Sequence, residues 1–475
     1  MDQMERLGRN DDYLAKIKDG IQMKKDTCGA PKEKKLKWWQ LSLLGVGCTI
    51  GTGFFLGSGL GIKLAGPAIL LGFLMAAIAT YLVYDALAQM TTDDPQKGSF
   101  RTYARKAFGR SAGFMNGWVY WFSEMLIMGS QLTALSLFSR FWFPQIPMWI
   151  FAAGFGVLGL GVIIIGTKGF ERMENISAIV KVAAILMFII IAILALMGVL
   201  DGREGLPGFP DTTGQFFAAD WKKIWSSLVY AFFAFGGIEV IGIMSMRLEK
   251  KEDAPKAGKI MLMTLAIIYL ASLSLVIMIT SWEHLNTKES PFVQALDNFH
   301  LPLIPHIFNG ALIIAGFSTM SASLFGITNM LITLAEDRDA PKFFSKKSGR
   351  WPIPLPAFGL TAFGLIISII LSLVMPDKVY VYFTTGAGLL ILYNWLLILI
   401  TYSKLMDLKF KEKMKRNLGL LLIVLAISGT LFQDDTRPGF FVSLGFVAFV
   451  GIITAIVKIK RIRKRPITRR RFRND

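Results

Sequence analysis

The stretch Gly45–Gly61, GVGCTIGTGFFLGSGLG, places seven glycines inside an apolar run. Glycine in a helix interior costs about 1 kcal/mol relative to alanine. Such a cluster marks either backbone that leaves the helix or helices packed closely through small residues. A second cluster, AFFAFGGIEVIG, occupies Ala231–Gly242. Around them lie apolar runs such as 261–281, 355–375 and 417–433, long enough or nearly so to cross about 30 Å of hydrocarbon as helix. A helix also satisfies its own backbone where no water can. Twelve spans are expected, near 39–63, 66–90, 112–140, 146–166, 174–200, 221–246, 260–282, 302–335, 356–376, 379–402, 417–433 and 438–457. The glycine clusters then fall in spans 1 and 6, equivalent positions if spans 1–5 and 6–10 form two halves. Each half has an odd number of spans, so the halves enter from opposite sides. That is an inverted-repeat architecture, in which broken helices build a site at the midplane.

Composition agrees with this class. Of 475 residues, 53% are hydrophobic and 18% charged, less charge than a soluble chain of this size carries. The net charge of +19 does not point to nucleic acid, because ten Lys/Arg fall in residues 1–37 and ten in 458–475, outside the spans. Basic flanks of apolar spans face the cytoplasm and its anionic lipid surface. With both tails inside, the five cytoplasmic loops 91–111, 167–173, 247–259, 336–355 and 403–416 carry 23 Lys/Arg, and the six opposite connections carry eight. The two cysteines, Cys28 and Cys48, form no disulfide framework or thiolate metal site. The opening residues MDQMERLGRNDDYLAK contain no apolar stretch, so the first span is expected to act as an uncleaved insertion signal.

A helix that unwinds inside a membrane bares amides and carbonyls, which is tolerable only beside a cavity or a ligand. Amides at a half-helix start favour an anion, and carbonyls at a half-helix end favour a cation. A zwitterionic amino acid presents both charges close together. Thr49–Gly53, with Ile50 and Gly51 between, could offer amides to a carboxylate and a carbonyl to an ammonium; Phe232–Gly237 could add carbonyls to the same ammonium. Charged residues within spans are functional candidates by default: Asp85 on span 2, Glu124 on span 3, Lys181 on span 5 and Glu239 on span 6. Lys181 is either a lysine reaching for the interface or one whose desolvation lets it bind and release a proton. Glu239 is either ionisable machinery or an acid bonded to unwound backbone. Asp85 and Glu124 could equally be solvated by a water-filled cavity.

The segments WWQLSLLGVGCTIGTGFFLGSGLGIKLAGP (Trp38–Pro67), GSFRTYARKAFGRSAGFMNGWVYW (Gly98–Trp121), ERMENISAIVKVAAI, FFAFGGIE and LITLAEDRDAPKFF resemble landmarks of the amino acid–polyamine–organocation superfamily, especially bacterial amino acid permeases. The resemblance covers roughly residues 36–405. It implies an all-α LeuT-type fold: a 5+5 inverted repeat with helices 1 and 6 broken, plus two peripheral helices. The chain would divide into a basic tail 1–37, a ten-helix core 38–405, two peripheral helices in 406–457, and a basic tail 458–475. The resemblance also implies that the amides of Thr52 and Gly53 hold a substrate carboxylate. Carbonyls of Thr49, Phe233 and Gly236 would hold its amine, with Phe233 as an aromatic gate. Lys181 would stand in for the sodium ion of sodium-coupled relatives, with Ser318 and Ser321 near that site. Lys181, Glu239 and Glu124 are the candidate proton-coupling residues.

The expected activity is therefore proton-coupled uptake of an amino acid by alternating access, in a monomer with cytoplasmic termini in a bacterial cell membrane. Its partners are the amino acid, protons and the lipid bilayer, with no cofactor, metal or nucleic acid. Phe233, Met125 and Met128 suggest a neutral, apolar substrate, against which Glu124 would favour a cationic one. The sequence departs from common permease patterns at Gln89, Gln131 and Asn329. Asp85 and Arg247 carry the opposite charges from those common there, which suggests an inner-gate ion pair with its signs exchanged. An amino acid exchanger is the alternative activity, and a nutrient sensor or membrane enzyme the alternative class. The short tails argue against a sensor. An enzyme would need a nucleophile–base pair or a metal cluster, and His284, His300 and His306 fall in or beside a single connection.

Overall fold

The computed structural model describes residues 35–96, 98–165, 167–200, 206–239, 245, 248–299, 301–346, 354–376 and 378–463. Arg247, His300 and the part of the sixth apolar segment just beyond Glu239 lie outside them. Among the described residues the architecture is helical. The one extended pairing is an isolated bridge between Leu36 and Leu248, closed by the Glu249 amide donating to the Leu36 carbonyl at 2.9 Å.

Helix α1 (Trp38–Thr49) starts where Gln40 accepts a hydrogen bond from the Lys37 amide at 2.9 Å. It stops because Gly51 turns to extended backbone, φ −155° and ψ −163°. The helix resumes as α2 (Thr52–Phe55) and α3 (Gly57–Ala65). After a short turn at Gly66–Ala68, α4 (Ile69–Asp93) follows. Then come α5 (Ser99–Phe108), α6 (Arg110–Arg140), α7 (Met148–Ile165), α8 (Thr167–Leu196) and α9 (Trp221–Phe233). The second half contains α10 (Ala254–Ile279), the short α11 (Pro291–Asp297), α12 (Ile304–Glu336), α13 (Leu355–Val374), α14 (Val379–Leu405), α15 (Phe410–Gly429) and α16 (Arg437–Arg463).

Eight helical stretches are long and apolar enough to cross a membrane. One of them, Thr52–Asp93, runs 42 residues through α2, α3 and α4. At 1.5 Å per residue that is about 60 Å of helix, twice the hydrocarbon thickness. Large apolar side chains such as Val157, Ile165, Ile179, Ile267 and Phe363 stand exposed on the outward faces of α7, α8, α10 and α13. An apolar outer surface suits lipid rather than water. The chain is a multi-pass membrane protein.

The most extensive packing joins α6 to α12 and α14, α4 to α10, and α3 to α9. Phe54 anchors the aromatic core between α2 and its neighbours. Its ring stacks on Tyr269 at 3.9 Å between centroids and lies edge-on to Phe73 at 6.3 Å. Phe292 of α11 packs against Phe54, Phe55, Phe188 and Phe308, which together close the α3 side of the chain break.

A charged knot binds the end of α12 to α5 and α6. Buried Arg101 pairs with Asp337 and reaches toward Asp339 at 4.0 Å. Arg110 donates to Asp339 at 3.0 Å, and the Trp118 indole donates to the Asp339 carbonyl at 3.1 Å. The DAPKFF landmark thus begins with an acid held by Arg110 at the start of α6, with Arg101 of α5 nearby. Losing Arg101 leaves Asp337 part-exposed to solvent and Asp339 still paired with Arg110. Arg101→Ala should therefore destabilise the protein by about 1–3 kcal/mol, read as a lowered unfolding temperature in detergent. Lys106→Ala, which breaks an exposed pair with Asp94, should cost about 0–1 kcal/mol.

Candidate functional site

The break between α1 and α2 opens onto a cavity of about 430 Å³. Thr49, Gly51, Thr52 and Gly53 line it from the break, and Phe233, Ala234, Gly236 and Gly237 from the turn that ends α9. Tyr120, Glu124, Ile127 and Gln131 come from α6. Thr319, Ala322 and Ser323 come from α12, Glu174 and Asn175 from α8, and Ile391 from α14. The walls are mostly apolar, as in small-molecule sites.

Of the backbone candidates, Thr49, Gly51, Thr52, Gly53, Phe233 and Gly236 all meet at this cavity. Ile50 does not line it: its side chain is buried in the core and its amide donates to the Val46 carbonyl at 3.1 Å. As the first residues of α2, Thr52 and Gly53 have amides with no partner one turn back. The Thr52 carbonyl accepts from Tyr380 at 3.1 Å, while its hydroxyl oxygen is buried without a hydrogen-bond partner. The Gln131 carboxamide oxygen is in the same condition. Gly53 has no room for a side chain, since a Cβ there would lie 2.9 Å from the Phe233 ring.

The sixth segment is interrupted at the same depth. α9 ends at Phe233, and Ala234–Gly237 form turns, with the Gly236 amide donating to the Phe233 carbonyl at 3.0 Å. Gly237 has φ +102°, a conformation glycine adopts readily. Its amide donates to Glu239 at 3.0 Å, and the Trp395 indole donates to the other oxygen of that carboxylate. Glu239 therefore braces the turn and does not line the cavity.

Glu124 does line it, with the Tyr120 and Ser323 hydroxyls beside its carboxyl. The α6 residues facing the cavity are 120, 124, 127 and 131, a helical period of three to four. Met125 and Met128, expected near the substrate, fall between these positions. Met125 packs toward Gly364 of α13, and Met128 is buried in a second core cluster. Ile127, Ile391 and Phe233 supply the apolar wall instead.

Lys181 is fully enclosed. Its ammonium donates to the Gly47 carbonyl at 3.0 Å and to Glu174 at 3.4 Å. Ser318 donates to the other Glu174 oxygen. Glu174 was not singled out from sequence, although a signal exists: it lies seven residues before Lys181, two turns along one face. Ser321 is buried without a hydrogen-bond partner for its hydroxyl. Asp85 accepts from Lys415 of α15 at 3.2 Å, and its imagined partner Arg247 lies outside the described residues. Gln89 accepts from Tyr402 at 2.7 Å, and Asn329 donates back to the Phe325 carbonyl on its own helix at 2.9 Å.

Comparison with known proteins matches the sequence to one family. The profile described as "Amino acid permease" matches residues 40–466. The chain is 53% identical over 426 residues to the Bacillus subtilis (strain 168) protein named "Uncharacterized transporter YcgH", covering 90% of this chain and 95% of that one. It is 27% identical over 427 residues to "Aromatic amino acid transport protein AroP" of Salmonella typhimurium (strain SL1344), covering 88% and 93%. It is also 27% identical over 426 residues to "Probable threonine/serine transporter YbxG" of Bacillus subtilis (strain 168), covering 87% and 92%. A cavity between two interrupted helices and a family match over nearly the whole chain give the same answer: this protein belongs to the amino acid permease family, whose members are transporters and not enzymes.

Proposed function

We propose that this permease is a secondary active transporter that takes up a neutral amino acid together with a proton by alternating access. The observation that carries the proposal is the meeting of two interrupted helices at one cavity, with the amides of Thr52 and Gly53 at one wall and the turn Phe233–Gly236 at another. The amides hold the substrate carboxylate, and carbonyls of Thr49, Phe233 and Gly236 hold its amine. The Phe233 carbonyl already accepts one hydrogen bond from Gly236 but has a second lone pair to offer. Phe233 closes over the bound molecule. The largely apolar wall supports a neutral side chain, as do relatives named for aromatic amino acids and for threonine or serine.

The proposed architecture is a LeuT-type 5+5 repeat over residues 38–405, twelve spans in all, with two peripheral spans in 406–457. It is supported by the contacts of α3 with α9, α4 with α10 and α6 with α12, which pair spans 1 with 6, 2 with 7 and 3 with 8. The charge asymmetry of the loops supports a topology with both tails in the cytoplasm of a bacterial cell. The cavity extends from the break past Leu44 to Leu36, and the aromatic cluster around Phe54 and Phe292 lies on the other side. In that orientation the conformation is open toward the cytoplasm. Lys181, Glu124 and Glu239 are the proposed members of the proton-coupling machinery, Lys181 through its ion pair with Glu174 and Glu239 also holding the turn. The protein works as a monomer.

The deciding experiment is uptake by the purified protein in liposomes, with a panel of amino acids and imposed proton or sodium gradients. An acidic exterior should drive accumulation of a neutral amino acid, and a sodium gradient alone should not. Uptake that occurs only against internal amino acid would establish an exchanger instead. Lys181→Ala should abolish accumulation driven by pH. Gly53→Ala should weaken amino acid binding about tenfold or more, a loss of about 1.4 kcal/mol, because its Cβ must displace the Phe233 ring. Gly154→Ala, where a Cβ meets nothing within 4 Å, should bind as the parent does in the same titration.

A further inference from the structure

The buried charged residues among those described are Arg101, Glu124, Glu174, Lys181, Glu239 and Asp339. Arg101 and Asp339 belong to the knot at the end of α12. That leaves three carboxylates and one ammonium in the apolar interior. A buried carboxylate without a cation costs several kcal/mol, and taking up a proton is the usual relief. The geometry shows which member of the Glu174–Lys181 pair a proton can reach. Glu174 lines the cavity, whereas Lys181 is enclosed on all sides. The shorter hydrogen bond of the lysine, 3.0 Å, runs to the Gly47 carbonyl in the last turn of α1, and the longer, 3.4 Å, to Glu174. The ammonium therefore keeps a partner if the carboxylate is neutralised. Were the lysine to lose its proton instead, a charged Glu174 would be left without a cation, held by the uncharged Ser318 hydroxyl and Cys48 thiol.

We propose that Glu174, and not Lys181, is the group that takes up and releases the transported proton, while Lys181 remains an ammonium shared between Glu174 and the Gly47 carbonyl. This rests on the proton-coupled reading above. In uptake, a proton carried in by cavity water forms an O–H bond with a Glu174 oxygen; the negative charge of the carboxylate is neutralised, and the pair, neutral before, carries the single positive charge of Lys181. Lys181 is then held by α1 alone, where the C-terminal end of a helix favours a cation. In release, the O–H bond breaks to water and the carboxylate recovers the ammonium. The charge state of Glu174 thus sets how strongly Lys181 ties α1 to α8. The two helices are already in close approach there, since a Cβ on Gly47 would lie 2.5 Å from that of Ala178.

Other ionisable groups face this pair from few directions. Cys48 comes from α1, and Tyr120 and Glu124 from α6 line the same cavity. The side chain that α12 places on the pair is the uncharged Ser318, and α7 carries no charged residue. From α10, Lys256 lies over the Trp38 ring at 4.3 Å, and the Tyr269 hydroxyl donates to the Ala234 carbonyl at 3.2 Å. The Asp297 end of α11 is exposed.

The test compares wild type, Glu174→Gln and Glu174→Asp in liposomes and by infrared spectroscopy. Glu174→Gln should retain amino acid counterflow at equal pH, with a rate that no longer varies with pH, and should lose accumulation driven by a pH gradient. Glu174→Asp should regain part of that accumulation. On acidification, the protonated-carboxyl band of wild type should lose intensity in Glu174→Gln and shift in Glu174→Asp. Accumulation by Glu174→Gln at the wild-type level, or a carboxyl band unchanged in both variants, would overturn the proposal. If Glu174→Gln does not fold, the band of Glu174→Asp decides: shifted supports it, unshifted overturns it. A wild type that moves no amino acid under any gradient would instead defeat the transport reading, and the infrared titration would still report on Glu174.

Discussion

Everything at the centre of this permease follows from one constraint: backbone that leaves a helix at membrane depth must find polar company inside the protein. The chain breaks between Thr49 and Thr52, and again after Phe233. Neither break faces lipid. Both open onto the same cavity, where the ends of half-helices present amides and carbonyls that no helix satisfies. Side chains then secure the interruptions from behind. Tyr380 donates to the Thr52 carbonyl, Lys181 to the Gly47 carbonyl and Tyr269 to the Ala234 carbonyl. Glu239 holds the Gly237 amide.

The supports differ on the two sides of the break. On the α3 side, aromatic rings from α2, α4, α8, α10, α11 and α12 fill the space between helices. Interdigitated rings of this kind leave no path for water. On the α1 side the packing thins and the cavity continues to Leu36. There polar ties add to the packing of Leu41 and Val46 in the core: among the described residues Ser42 donates to the Ala257 carbonyl, Lys181 to the Gly47 carbonyl and the Glu249 amide to the Leu36 carbonyl.

Charge is sparse in the interior, so each buried ionisable group has a readable task. Arg101 and Asp339 fasten a loop, and Glu239 fastens a turn. Glu124 and Glu174 are different, because they stand in the cavity wall.

The amino-acid order by itself determined the class, because run length, glycine clustering and loop charge are local quantities. Gly45–Gly61 marked the first interruption and Phe232–Gly237 the second, since a helix-destabilising cluster in an apolar span needs a reason. Six of the seven backbone positions named from sequence meet at the cavity. The misplacements came where a side chain's direction mattered. Ile50 points into the core, and Met125 and Met128 miss the cavity because only every third or fourth residue of α6 faces it. Glu174 passed unremarked because its importance lies in what reaches it from α8 and α12: Lys181 two turns away and Ser318, 144 residues along the chain. Distances across helices are set by how spans pack, and no local pattern in the chain encodes them. The sequence therefore fixed where the backbone opens, and only the tertiary structure decided which side chains gather around the opening.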